Sequence, residues 1–158
     1  MFSTVVQILG IVAILANAVV YGTDAGYAII TRPVYARLDD ATVTASAGWG
    51  HYYGDRRMPI VGAGGVVTAV LTAVLAAVGG YVGAAVAAGI AVAALASWLA
   101  IYVRVAKPVN TQQTAAAQAG ITPPNARALQ DKWDSVVNAR VALQFIAVAG
   151  LSAAVALA

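Results

Sequence analysis

Asp24 and Arg140 are the two ionisable residues of this chain that stand inside otherwise apolar stretches. A charge in the interior of a helix bundle is expensive, so it faces a partner, a cavity or both. Asn17, Tyr21 and Asp24 follow one another at four and three residues, which groups them on one helical face. Trp133, Val137, Arg140 and Gln144 repeat the pattern. Opposed across a bundle, towards its loop side, the two stripes make a polar, aromatic-lined pocket expected to open to the cytoplasmic face. Two roles are open to the charges: an ion pair that fixes helix register, or contact with a substrate. The one histidine, His51, lies in Trp49-Gly50-His51-Tyr52-Tyr53-Gly54-Asp55-Arg56-Arg57-Met58-Pro59. Asn17, Tyr21, Trp49, Tyr52, Trp133 and Gln144 are candidate substrate contacts, although the aromatic ones would serve equally well as an interfacial belt. A metal site would need Asp24 or Asp55 to converge on His51, and no metal is expected. The absence of cysteine excludes disulfides, thiolate catalysis and cluster ligation.

The composition says what must position these residues. Of 158 residues, 61% are hydrophobic and 9% charged, and the mean hydropathy is +0.82. An ordinary soluble domain is roughly a quarter charged, so lipid is the natural solvent of this chain. Nine Lys and Arg against six Asp, with no Glu, is too sparse for a nucleic-acid footprint. No charge occurs from Met58 to Val103. One crossing takes about 20 residues, so this stretch holds two helices, divided at Gly79-Gly80. The expected architecture is an all-α, up-down bundle of four transmembrane helices in a single domain, 1–158. The helices are read at about 4–30, 58–78, 81–103 and 127–157, with polar loops at 31–57 and 104–126.

Eight of the nine basic residues fall in those loops or at their edges, which puts the loops in the cytoplasm and both termini outside. A bacterial inner (plasma) membrane is the simplest setting. Met1-Phe2-Ser3-Thr4 has no basic residue, unlike the start of a signal peptide. Pro33 and Pro108 are expected to end the first and third helices, and Thr122 or Asn125 to cap the fourth. Tyr81, Trp98 and Tyr102 read as interfacial aromatics. Gly22-x-x-x-Gly26 and Gly79-x-x-x-Gly83 have the spacing of close helix packing. No repeat appears at solenoid periods.

The order and spacing of several short pieces resemble the anthrone-oxygenase-like family of small four-helix membrane proteins. They are Gly22-x-x-Ala25-Gly26 leading to Pro33, and Trp49-x-x-Tyr52-Tyr53-x-x-Arg56-x-Met58-Pro59. Lys107-Pro108-Val109-Asn110 and Leu129-x-x-x-Trp133 leading to Arg140 complete the set. The resemblance implies oxygenation of an aromatic ketone without metal or flavin. A base removes an acidic C–H proton, a cation holds the enolate oxygen, and the carbanion reacts with dioxygen. Here it implies His51 or Asp24 as base, Arg140 as enolate partner, and Trp49, Tyr52 and Trp133 as walls. Members of the family commonly have a histidine where this chain has Val137. Asn138 stands about 100° further round the helix and does not replace it.

A membrane enzyme therefore competes with two other readings: a non-catalytic accessory subunit of a larger respiratory or transport complex, and a lipid or small-molecule binder. The expected partners are membrane lipid, an aromatic small molecule, and either such a complex or further copies of the chain; nucleic acid is not among them. An enzyme or binder requires a cavity lined by Asp24 and Arg140. A subunit requires that space to be filled and an outer face matched to its partner.

Overall fold

In the computed structural model, which describes residues 2–158, four long helices account for nearly all of the chain. They are α1 (Phe2–Tyr35), α2 (Asp40–Val78), α3 (Val82–Ala119) and α4 (Ala126–Leu157), and each is long and apolar enough to cross a membrane. The first three exceed the expected lengths, while α4 begins within one residue of the expected 127. At about 1.5 Å per residue they extend roughly 50–60 Å, against a hydrocarbon core of about 30 Å. The segments expected as loops with short helical pieces at 34–38 and 111–119, namely 31–57 and 104–126, are mostly helical, and the true connections shrink to 36–39 and 120–125. The crossing length sets only a minimum. Beyond it, polar helices continue because they still have each other to pack against.

Neither proline ends its helix. Pro33 and Pro108 are each preceded by a five-residue π-helical turn, Tyr27–Thr31 and Tyr102–Ala106. Proline has no N–H and crowds the carbonyl four residues back, and the wider turn shifts the register before it arrives. The two sites share the pattern Tyr-x4-(Arg or Lys)-Pro-Val, a short internal repeat.

The helices run up and down in chain order. The Ser3 hydroxyl donates to the Ala158 carbonyl at 2.7 Å, which brings the termini together. The tight turn through Gly79 and Gly80, with Gly80 at φ 78°, lies between α2 and α3. At the opposite end, Arg127 donates to Asp40 at 2.8 Å and to the Leu38 carbonyl at 2.9 Å, so both polar connections lie together. Asp39 caps α2 by accepting from the Thr42 amide. Asn125 occupies the cap position of α4 without a side-chain capping bond, and Thr122 lies outside the helix.

The core is built from small side chains. Ala13, Ala69, Ala91 and Ala147 are fully buried around Leu95 and Leu151. Where lipid surrounds a bundle, close backbone approach does the work that hydrophobic burial does in water. Of the two glycine pairs predicted, only one packs closely: a Cβ on Gly22 or Gly26 would meet nothing within 4 Å, whereas one on Gly79 would meet the Tyr81 ring at 2.8 Å and one on Gly83 the Leu157 side chain at 3.4 Å. A Cβ on Gly48 would run into the Gln113 carbonyl, and one on Gly65 into the Asn17 amide at 2.9 Å. These two contacts pin α2 to α3 and to α1. Between them, from Trp49 to Gly64, no residue of α2 is buried. There α2 stands off from the bundle.

Candidate functional site

Beneath that stretch of α2 lies a cavity of about 560 Å³, within the usual range for small-molecule sites. Its α2 wall is a helical stripe short of side chains: Ala47, Gly50, Gly54, Met58, Gly62 and Val66. A Cβ on Gly54 or Gly62 would meet no heavy atom within 4 Å, so the space exists partly because these positions are glycine. Pro59, mid-helix, has no N–H to return to the Asp55 carbonyl, which loosens α2 at the same level.

Asp24 and Arg140 meet on the far wall. Arg140 Nη2 donates to Asp24 Oδ1 at 2.9 Å and Arg140 Nε to Oδ2 at 3.2 Å. The Trp98 indole adds a third hydrogen bond to Oδ2 at 3.0 Å. Both charged side chains are more than nine-tenths buried. The guanidinium also lies 4.9 Å from the Trp98 ring centre and 5.6 Å from that of Trp133, which offsets part of its lost hydration. Its third nitrogen, Nη1, is buried and has no hydrogen-bond partner among the described residues.

Asp55 sits beside this pair. Its Oδ1 accepts from the Tyr102 hydroxyl at 3.0 Å and the Asn110 amide at 3.1 Å. Asn110 in turn accepts from the Trp133 indole at 3.0 Å. Among the described residues Asp55 has no cationic partner, and its Oδ2 accepts no hydrogen bond. His51, on α2 one turn before Asp55, lines the α2 wall, 5.7 Å from the Trp133 ring centre. A second network forms the floor. The Tyr27 hydroxyl donates to Asp134 at 2.6 Å, Gln130 bridges the two, and Gln113 donates to Gln130 at 3.1 Å. No group of three histidine or carboxylate residues is placed to hold a metal among the described residues.

The cavity thus brings together Asp24, His51, Trp133 and Arg140 of the expected set. The other expected contacts lie elsewhere. Tyr21 is turned outward against Phe145, with ring centres 6.3 Å apart. A step of four residues overshoots one turn by about 40°, enough to carry it over the edge of the stripe. Trp49 and Tyr52 form an outer cluster with Tyr53, where Arg56 stacks on Tyr52 and Arg57 on Tyr53. Because residues 40–57 are helix rather than loop, turning His51, Asp55 and Met58 inward forces these aromatics out. Asn17 and Gln144 are buried but do not line the cavity; Asn17 donates to the Ala13 carbonyl, and Gln144 Oε1 has no partner among the described residues.

Sequence reasoning missed Trp98, Tyr102, Asp55 and Asn110 as wall residues. Trp98 and Tyr102, expected at the interface, point inward. Their four-residue spacing on a helix facing a buried charge is the signal that could have found them. The chain matches no family model, no curated protein and no solved structure.

Proposed function

We propose that this chain is an integral membrane protein that binds an aromatic, oxygen-bearing small molecule in the Arg140 cavity and oxygenates it without a cofactor. One observation carries the reading: a guanidinium held by Asp24 and set against aromatic rings keeps a buried, unpartnered N–H donor, and its residue lines a 560 Å³ cavity. A buried unsatisfied donor carries a desolvation penalty of roughly 1–3 kcal/mol, which a ligand oxygen would relieve. Trp98, Tyr102 and Trp133 offer flat faces to an aromatic ring. The accessory-subunit reading requires this space to be filled, and the cavity counts against it.

In the oxygenase scheme both Asp24 oxygens are occupied, so Asp24 anchors Arg140 and His51 takes the proton from the methylene of an anthrone-like ketone. Arg140 Nη1 holds the enolate oxygen. The carbanion forms a C–O bond to dioxygen, and the resulting hydroperoxide loses water to leave a carbonyl. The balance is CH2 + O2 → C=O + H2O. Val137, where the family commonly has histidine, leaves His51 as the only imidazole for this step. The orientation that goes with the scheme has connections 36–39 and 120–125 in the cytoplasm of a bacterium and the termini outside, following the basic residues.

The test uses protein in nanodiscs with Trp49→Phe, so that only Trp98 and Trp133 report. Anthraquinone should quench their fluorescence saturably, and the protein should accelerate dioxygen uptake by anthrone. His51→Asn should abolish the acceleration while leaving the quenching. Absence of saturable quenching would overturn the reading as a whole. Quenching without acceleration would overturn the oxygenase and leave a binding protein.

A further inference from the structure

The chemistry and the opening of the cavity together narrow its ligand, on the assumption that the cavity is a ligand site as proposed above. The two polar groups with spare bonding capacity are opposite in kind. Arg140 Nη1 is a donor without an acceptor, and Asp55 Oδ2 is an acceptor without a donor. A single tyrosine connects them: the guanidinium carbon is 5.9 Å from the Tyr102 ring centre, and the Tyr102 hydroxyl bonds Asp55. Both groups therefore gather around Tyr102, a wall residue of the cavity. A ligand satisfying both carries one oxygen that accepts and another that donates.

The way in is from the side. Pro59, Ala63, Val67 and Leu99 line the cavity and are also exposed on the outer surface of the bundle. All four fall in the charge-free stretch from Met58 to Val103, Pro59 and Leu99 near its polar ends and Ala63 and Val67 further in. Their outward neighbour Ile60 is 81% exposed, so this flank of the bundle meets lipid tails. At the other end the Tyr27–Gln130–Gln113 network closes the floor with polar side chains from three helices.

We infer that the ligand is a membrane-dissolved amphiphile, with an aromatic head between Arg140 and Asp55 that carries one acceptor oxygen and one hydroxyl, as a hydroxylated anthrone-like ketone does and a hydroquinone mimics. Its hydrocarbon tail leaves the bundle past Pro59, Ala63 and Val67. One oxygen accepts from Arg140 Nη1, and the other donates its O–H to Asp55 Oδ2. A water-soluble ligand would have no use for a lateral opening. A one-oxygen ligand would leave one of the two groups unsatisfied.

The probe is a decyl-tailed benzoquinone that quenches Trp98 and Trp133 in the Trp49→Phe protein in nanodiscs. Competitors are the corresponding decyl hydroquinone, the tail-less hydroquinone and 4-decylphenol, each compared at equal concentration in the lipid. The decyl hydroquinone should compete best, with the phenol about tenfold weaker for the lost bond to a charged group. Asp55→Asn should erase that advantage, and its quenching by the probe shows whether it has folded. Gly62→Leu should weaken the tailed ligands most, and a tail-length series on the unsubstituted cavity tests the same point without a core variant. If tailed and tail-less heads compete equally and Asp55→Asn changes nothing, the amphiphile is overturned while the aromatic site stands. If neither the quinone nor anthraquinone quenches, both fall together.

Discussion

At the residue scale, Asp24 and Arg140 show how an apolar helix bundle tolerates charge. Each is compensated twice, by the other and by an indole, which donates to the carboxylate and stacks on the guanidinium. Removing one partner leaves the other uncompensated. Arg140→Met is expected to cost about 3–5 kcal/mol, because the Asp24 carboxylate stays buried alone. The double variant Asp24→Leu/Arg140→Met should fall within about 2 kcal/mol of the unsubstituted protein, since two apolar side chains refill the volume without a buried charge. Unfolding in mixed detergent micelles measures the cycle. Additive losses in the double variant would mean that the pair is not coupled. Ligand binding separates the two roles: a purely structural pair predicts normal quinone quenching in the double variant, whereas the proposed site predicts its loss.

The element that shapes the site is α2. It is pinned at Gly48 and Gly65 and stands off between them, where Gly54, Gly62 and Pro59 keep the wall thin. Its glycines thus fall into two classes with opposite expected responses. Gly48→Ala drives a methyl group into the Gln113 carbonyl and Ala117, and should destabilise by about 1–3 kcal/mol. Gly54→Ala meets nothing and should stabilise by about 0.5–1 kcal/mol, the helix-propensity difference between the two residues. Thermal unfolding of both variants checks the contrast. The start of α2 makes a separate prediction about pH. The Thr42 amide and hydroxyl hold the exposed Asp39 carboxyl below its ordinary range. A depressed native value means that the ionised cap stabilises above the ordinary carboxylate range, and that this contribution disappears as pH falls through the lowered value. The stability gap between the protein and its Asp39→Ala variant should therefore be constant near neutrality and close on acidification. A gap independent of pH would mean that the charge on Asp39 does not contribute.

Taken whole, the molecule is a bundle with an apolar half and a polar half, and the cavity lies at their junction. The termini and the Gly80 turn share one end, and the two polar connections share the other, tied by Arg127. The absence of cysteine makes single-cysteine labelling clean. Val82 at the turn and Ile121 in the second connection are 72% and 58% exposed. In the proposed orientation, a membrane-impermeant maleimide added to intact cells should label Val82→Cys and spare Ile121→Cys until the membrane is opened. The reverse pattern would invert the orientation and place the Arg127 end outside.

Composition alone determined that this chain would be a bundle of four apolar helices. Nine per cent charge and an unbroken run from Met58 to Val103 admit few other solutions in lipid, and Gly79-Gly80 marks a turn that any helical hairpin needs. Periodicity found the Asp24–Arg140 pair, because two buried charges on facing stripes have few partners to choose from. The lengths of the helices were not legible. Pro33 and Pro108 look like stops, and only packing between the polar extensions carries the chain through them by way of π-helical turns. That change of length decided the site. Once residues 40–57 are helix, the phase of α2 chooses His51 and Asp55 for the interior and leaves Trp49 and Tyr52 outside. A local sequence cannot reveal this choice, because it depends on where Gly48 and Gly65 let α2 touch its neighbours.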